Sequence, residues 1–342
     1  MNRYQPYLLN ILILLLALLL SVAVGAVFVP PGTILEVVLS HLPGISFRSG
    51  WPETFEVIIL RIRLPHAILM ALAGAALGGS GATYQGLFRN PLADPYLIGV
   101  ASGAGLGAVV AMAVHWPSNL LGLYAIPAAA FIGAMLTVAL VYFLAYSAGS
   151  LPTTTLILAG VAVGSFASAL TSFLMLRSQG ELRRALAWLL GGATMGGWEP
   201  VLAALPYVAL GLGLLITAGH ALNVLQFGDE QAQQLGLPVR RARTLLIVAA
   251  SLTTAAAVAF TGIIGFVGLV VPHIARLLWG PDYRRLVPLS LLGGASLLLV
   301  ADLLARVVMA PQELPVGVIT ALAGTPFFLW VLRRSQRSGA SA

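Results

Sequence analysis

The 342-residue chain is 59 % hydrophobic and only 8 % charged, with a mean hydropathy of +0.97 and a net charge of +7. This excludes a soluble globular domain, and apolar runs near the roughly 18–20 residues that cross a bilayer mark an all-α polytopic membrane protein. A β-barrel is excluded because its short strands would alternate polar and apolar residues. There is no cysteine, hence no disulfide framework or thiolate metal site. All 18 basic residues are arginines, and their positions at segment ends read as membrane topology rather than as nucleic-acid binding.

Ten crossings fit the hydropathy, within a single membrane domain spanning 1–342. The first, 8–29, is too long for a typical signal-peptide core and lacks a clear cleavage site, so it reads as a retained span. A loop containing Pro30, Pro31, Pro43, Trp51 and Pro52 leads to the second, 60–83, which is followed by the turn QGLFRNPLADP. The third, 96–114, and fourth, 121–145, are separated by HWPSN, and Gly149 and Pro152 precede the fifth, 154–176. Residues 185–195 are too short to cross and read as an interfacial or half-inserted helix. The sixth is 200–219, the seventh 244–263 and the eighth 264–279, which carries Pro272. The ninth, 287–308, is separated by PQELP from the tenth, 316–332, and a polar tail at 335–342 is expected to be frayed.

An even number of crossings puts both termini on one side. Placing them in the cytoplasm leaves 11 arginines inside and seven outside, the bias that the positive-inside rule requires. The outside set is Arg48, Arg61, Arg63, Arg177, Arg183, Arg184 and Arg306. The second and seventh segments both lead into glycine-rich, proline-containing turns, so an inverted repeat pairing segments two to five with seven to ten is expected. Small residues at 73–82, 102–108 and 293–296 fit close helix packing in lipid.

One polar island stands out between two apolar segments, NVLQFGDEQAQQLGLP at 223–238. Gly228 breaks the incoming segment, and Asp229 and Glu230 occupy the first turn of a short helix, where acids complement the dipole. Gly236 fits the left-handed position past the helix end, and Pro238 blocks continuation. The helix predicted over 229–235 is about 10 Å long, with Ala232 and Leu235 on one face. Taken alone, the stretch is either a docking helix for a soluble partner or, slightly favoured, a loop helix lying on its own protein.

The segments LAGAALGGSGATYQGLFRNPLADPYLIGVASGAG (72–105), FGDEQAQQLGLP (227–238), TGIIGFVGLVVPHIARLL (261–278) and ELPVGVITALAGTPFFLWVLRR (313–334) closely resemble the FecCD-like permeases of bacterial ABC importers for iron–siderophore, haem and vitamin B12. The resemblance runs from about Leu60 to Arg334 and moves the polar island to the docking reading. It implies a type II ABC importer permease in the bacterial inner membrane, paired with a second copy of itself or a related chain. Two separate ATPase subunits would carry ATP and Mg, and a periplasmic binding protein would deliver a bulky metal chelate, most commonly an iron chelate in this family. The chain itself would be no enzyme and hold no cofactor or metal; without lysine it cannot contain a P-loop.

The resemblance also implies roles for particular residues. Asp229, Glu230, Gln234, Leu235 and Gly236 match the family's coupling helix, which sits in a groove of the ATPase. Thr153 and Thr154 match a cytoplasmic gate on the dimer axis, and Asn90 and Leu92 a second gate-lining turn. Thr153 also fits an ordinary helix cap, and Asn90 a tight turn set by its prolines. Arg63 and Arg306 match positions that pair with acidic residues of the binding protein, with Arg61 placed to compensate for the departure at His66. His66 departs from the arginine usual at its position, which makes docking weaker, pH-dependent or unchanged. Snorkelling at segment ends is the competing explanation for these arginines, and Asp302, at i, i+4 from Arg306, offers a local ion pair instead. An ion-gradient-driven transporter is the alternative class; it needs carboxylates at mid-membrane, and Asp302 is the one acid well inside a segment.

Overall fold

The structure is a computed structural model that describes residues 4–41, 50–114, 124–146, 151–177, 180–192 and 195–339. Arg3, Pro43, Arg48, the HWPSN turn with His115, Gly149 and the last three residues of the tail lie outside the described residues.

Among the described residues the chain forms helices and no strands. Seven helices are long and apolar enough to cross a membrane: α1 (Gln5–Ala23), α3 (Glu53–Leu87), α5 (Ala125–Ala145), α6 (Thr153–Arg177), α8 (Glu199–Thr217), α11 (Val239–Thr261) and α13 (Tyr283–Val307). Shorter apolar helices α4 (Val100–Ala113), α12 (Val267–Trp279) and α14 (Val316–Gly339) match the remaining three predicted crossings. The rest are α2 (Pro31–Ser40), α7 (Leu182–Leu189), α9 (Gly219–Leu225) and α10 (Asp229–Gln234).

Four local expectations are corrected. The loop after the first crossing holds α2, which starts with Pro31 at its first position and buries Ile34 and Val37. α3 begins at Glu53 rather than 60, because Glu53 and Glu56 suit its first turn and a π-helical turn, Ile58–Arg63, carries the helix onward. The half-inserted helix ends at Leu189, earlier than predicted, and buries Ala185 and Trp188. α14 continues to Gly339, so most of the tail expected to fray is helical.

α3 is the central element. Every residue from Ala73 to Leu87 is buried. α11 and α13 are the other largely buried helices, whereas α1, α5 and α6 present rows of exposed Leu, Ile and Phe, as lipid-facing helices do. α3 can be enclosed because its neighbours come within backbone distance. A Cβ added at Gly74 would overlap the Gly294 carbonyl of α13, and one at Gly81 the Gly268 carbonyl of α12. Where helices end inside this body, the chain finds local partners. Gly192 N donates to Thr261 O (2.7 Å), and Val316 N and Gly317 N donate to Gly191 O and Leu190 O (3.1 Å each).

The two halves share an order of lengths. The α-helical part of α3 (Leu64–Leu87), α4, α5 and α6 run 24, 14, 21 and 25 residues; α11 to α14 run 23, 13, 25 and 24. In each half a long helix ends in a non-helical turn, 88–94 or 262–266, before a short helix follows. This is the element order that the inverted repeat calls for.

Replacing Gly81 with alanine should force α3 and α12 apart and cost about 1–3 kcal/mol, as overpacking generally does. It will lower the thermal unfolding midpoint in detergent, while Gly32→Ala, at a position with open space around it, will leave the midpoint essentially unchanged.

Candidate functional site

The polar island folds as a capped knob. Gly228 takes φ +101° and Gly236 φ +85°, conformations that side chains resist, so the two glycines fix where α10 starts and stops. Leu235 N donates to Gln231 O (2.9 Å), Gly236 N to Gln233 O (2.9 Å) and Leu237 N to Ala232 O (3.0 Å), which closes the C-terminal turn. The predicted shared face of Ala232 and Leu235 is corrected. The helix ends at Gln234, so Ala232 is fully buried beneath it while Leu235, at the cap, is 64 % exposed. Glu230, Gln234 and Gly236 are exposed beside it, as is Phe227. The outward surface is therefore a small apolar patch, Phe227 and Leu235, framed by polar side chains.

Asp229 points the other way. Its Oδ1 accepts from Arg243 Nη2 at 2.8 Å, and Arg243 Nη1 donates to Leu151 O at 3.0 Å. Leu151 lies two residues before Thr153, where α6 begins. Arg243, in the first turns of α11, is only 7 % exposed. The same part of α11 holds the end of α5: Tyr142 and Thr244 hydroxyls are 2.8 Å apart, and the Arg240 guanidinium lies 5.0 Å from the Tyr146 ring centre. Read as a sequence, Arg243 is one more topology arginine; its only clue is the basic run RRAR that opens α11.

The turn carrying Asn90 and Leu92 adjoins this assembly. Asn90 Oδ1 accepts from Leu92 N (3.0 Å), an Asx turn, and the preceding Arg89 sits at φ +51° with its guanidinium against Gly228. Gln226 Nε2 donates to Gly86 O (2.9 Å) at the end of α3. The structure thus gathers the knob, the residues before α6 and the turn after α3 at one end. Thr154 is exposed there and Thr153 half-buried. A cleft of about 710 Å³ opens between α4, α6 and the turn before α4, lined by Tyr96, Gly99, Ser102, Gly160, Gly164 and Ser168, with Asp94 at its wall. Its lining is small and almost uncharged. Asp94 Oδ1 is occupied in capping Tyr96 N (2.8 Å).

α9 is anchored to the start of α13. Asp282 Oδ1 accepts from Asn223 Nδ2 (2.6 Å) and Asp282 Oδ2 from Arg284 Nη2 (2.9 Å), while Tyr283 N donates to Asn223 Oδ1 (2.9 Å). The Arg284 hydrogen bond, assisted by Asn223, holds the Asp282 carboxyl well below the usual carboxylate range.

At the other end of the molecule, Arg63, His66 and Arg306 come together, but they face inward. Arg63 donates to the carbonyls of Val22 (2.8 Å), Ala23 (3.2 Å) and Val27 (2.5 Å). Arg306 donates to Ser21 Oγ (2.9 Å) and Val24 O (3.3 Å), and its Nε to Asp302 Oδ2 (3.0 Å). His66 Nε2 lies 2.9 Å from Asp302 Oδ1. The two arginines cap the C-terminal carbonyls of α1, and the local ion pair envisaged from the i, i+4 spacing forms. Asp302, 2 % exposed, joins α3 and α13. Arg61 alone of the four points to solvent. Among the described residues no three His, Asp or Glu side chains are grouped to hold a metal ion.

A multi-pass helical membrane protein with a glycine-packed centre, an exposed glycine-bounded helix at one end and a cleft between α4 and α6 is built as a transport permease. The family model described as the FecCD transport family matches residues 13–334. The chain belongs to the FecCD transport family. It is 42 % identical over 341 residues to the uncharacterized ABC transporter permease protein YvrB of Bacillus subtilis, covering 99 % of this chain and 96 % of that one. It is 48 % identical over 286 residues to the cobalamin import system permease protein BtuC of Halobacterium salinarum, covering 84 % and 76 %. A solved structure described as an inward-facing conformation of a putative metal-chelate type ABC transporter superposes with a TM-score of 0.83 at 29 % identity, covering 96 % of this chain and 98 % of its own.

Because the folded carboxyl of Asp282 is depressed, its contribution to stability is present above the unfolded value near 3.8 and fades as pH falls below it. Asp282→Asn will lower the unfolding midpoint at pH 7, and the gap to the parent will narrow as the buffer is taken from pH 4 toward pH 2.

Proposed function

We propose that the chain is the membrane-spanning half of an ATP-driven importer for a bulky metal chelate and works by alternating access. The observation that carries this reading is α10: a helix with both ends fixed by glycines, an exposed Leu235 and Phe227 framed by Glu230 and Gln234, and an internal grip on Asp229. In a protein with so few charges, a polar helix with an exposed apolar patch fits docking to a soluble partner better than a loop helix lying on its own protein. An ATPase subunit would receive the knob in a groove, and closure of two ATPases on ATP would move it. ATP and Mg would belong to that subunit.

Two copies of the chain would meet so that Thr153, Thr154 and the turn of Asn90 and Leu92 face the common axis. The small, nearly neutral lining of the cleft by α6 suits passage of a large ligand, since a wall with few strong partners makes no deep binding well. Both termini would lie in the cytoplasm of the bacterial inner membrane, on the side of α10, and a periplasmic binding protein would dock at the opposite end. There, Arg61 is exposed; Arg63, His66 and Arg306 would shape the rim and hold α1, reaching a partner carboxylate only by exchanging bonds they already make. The cobalamin importer relative and the metal-chelate transporter structure both support a chelate cargo.

The test is purification of the tagged chain from its own membrane in mild detergent with mass spectrometry of what accompanies it. An ATP-binding subunit will appear in equal amount, and Leu235→Asp or Glu230→Arg will reduce its recovery by about tenfold, the effect of roughly 1.4 kcal/mol lost at the contact. Recovery of the chain alone across detergents would reopen the ion-driven reading.

At the opposite end, Arg61→Glu will weaken association with the co-purified binding protein more at low than at high ionic strength, because an exposed charge pair is screened by salt. An affinity unchanged at both salt levels removes Arg61 from the docking surface.

A further inference from the structure

We propose that Arg243 is the positioning residue that carries movement of α10 to the gate before α6, an inference that rests on the coupling role proposed above. One guanidinium spans two chain segments that are otherwise far apart. Its Nη2 holds Asp229, the first residue of α10, and its Nη1 holds the carbonyl of Leu151, just before Thr153. The two partners are 14 and 92 residues away in sequence. The Asp229 bond is the only side-chain hydrogen bond that α10 makes among the described residues; its other attachment is the packing of buried Ala232.

The chemistry of arginine matters here. The guanidinium is planar and its two Nη groups are fixed relative to each other, so displacing one partner displaces the other instead of being absorbed by side-chain flexing. Burial strengthens the effect. Among the described residues Arg243 Nε has no hydrogen-bond partner, so the hydrogen bonding seen there passes through the two arms. An arginine serving only to neutralise Asp229 would have no need of the Leu151 carbonyl. One serving only to anchor Leu151 would have no need of the knob. Arg243 does both, and it does so from α11, which also grips the end of α5 through Thr244 and Arg240.

The chain has no cysteine, so Thr153→Cys creates a single reporter at the gate. In the complete transporter reconstituted with its ATPase, the rate of maleimide labelling at this position will change when ATP and vanadate are added. In Arg243→Gln the labelling rate will stop responding to nucleotide, while the ATPase still co-purifies in equal amount, and transport will fall by about fivefold to tenfold, within the range of ordinary coupling energies. Arg243→Lys, which keeps the charge but cannot fork, will restore less than half of the response. Asp229→Ala, which removes the acceptor, severs the link from its exposed end and will show the same loss; combining it with Arg243→Gln will add nothing further.

A gate that follows nucleotide in Arg243→Gln as it does in the parent overturns the proposal. If that variant does not fold, an undiminished response in Asp229→Ala overturns it equally. A parent gate that ignores nucleotide, or a parent that brings down no ATPase, instead overturns the coupling function itself and this inference with it.

Discussion

Inside a bilayer a backbone N–H or C=O has no water to turn to, and this fold follows from how that constraint is met. α3 lies in the middle because glycines at 74 and 81 let the backbones of α13 and α12 come against it. With α3 enclosed, the turns that follow α3 and α11 can be irregular, since protein rather than lipid surrounds them. Backbone groups of the second turn and of the helix that follows it are taken up by polar side chains from elsewhere. Tyr96 Oη donates to Ile264 O (3.0 Å) and accepts from Ile264 N (3.3 Å), and Gln85 Nε2 donates to Leu269 O (3.2 Å). The breaks in turn shorten α4 and α12 and leave room for the cleft beside α6.

The same constraint governs the charges. Asp302 is buried within a membrane-spanning helix, and a lone carboxylate there would be costly. Arg306 and His66 occupy its two oxygens, and the arginine spends its remaining donors on the end of α1. An ion-coupled carrier needs a carboxylate free to bind and release its ion; this one is committed on both sides. The cluster is better understood as the fastening of α1, which otherwise faces lipid, to the α3–α13 core.

What the sequence reveals and what it conceals divide along one line. α10 is legible to within a residue because Gly228, Gly236 and Pro238 act on their immediate neighbours. The ten apolar segments are legible because hydropathy is a local property, and α2 escapes notice because ten residues beginning with Pro31 form no long apolar run. The direction of a long side chain is not local. Arg63 and Arg306 look like outward-facing cations until the carbonyls of α1, about 40 and 285 residues away, are brought to them. Arg243 looks like part of a positive-inside cluster until folding sets Leu151 and Asp229 on either side of it. The exposure of Leu235 was hidden for a smaller reason: helical spacing from Ala232 implies a shared face only while the helix lasts, and it stops one residue too soon.

The two ends of the molecule are therefore built differently. At the α1 end, several arginine and histidine bonds converge on one acid and one helix terminus, so no single bond is decisive and the arrangement resists small displacements. At the α10 end, each segment is tied to the next by one or two bonds: Gln226 to Gly86, Asp229 to Arg243, Arg243 to Leu151, Thr244 to Tyr142. A push on α10 cannot be taken up within α10, which is only six residues long and bounded by glycines at 228 and 236. It must pass into α11, and α11 is packed along most of its length, so it moves as a body or not at all. Close-packed interfaces of this kind shift between discrete arrangements rather than bending smoothly. A short stiff helix, a forked arginine and a buried rod-like helix make a linkage suited to a gate that must be open or shut.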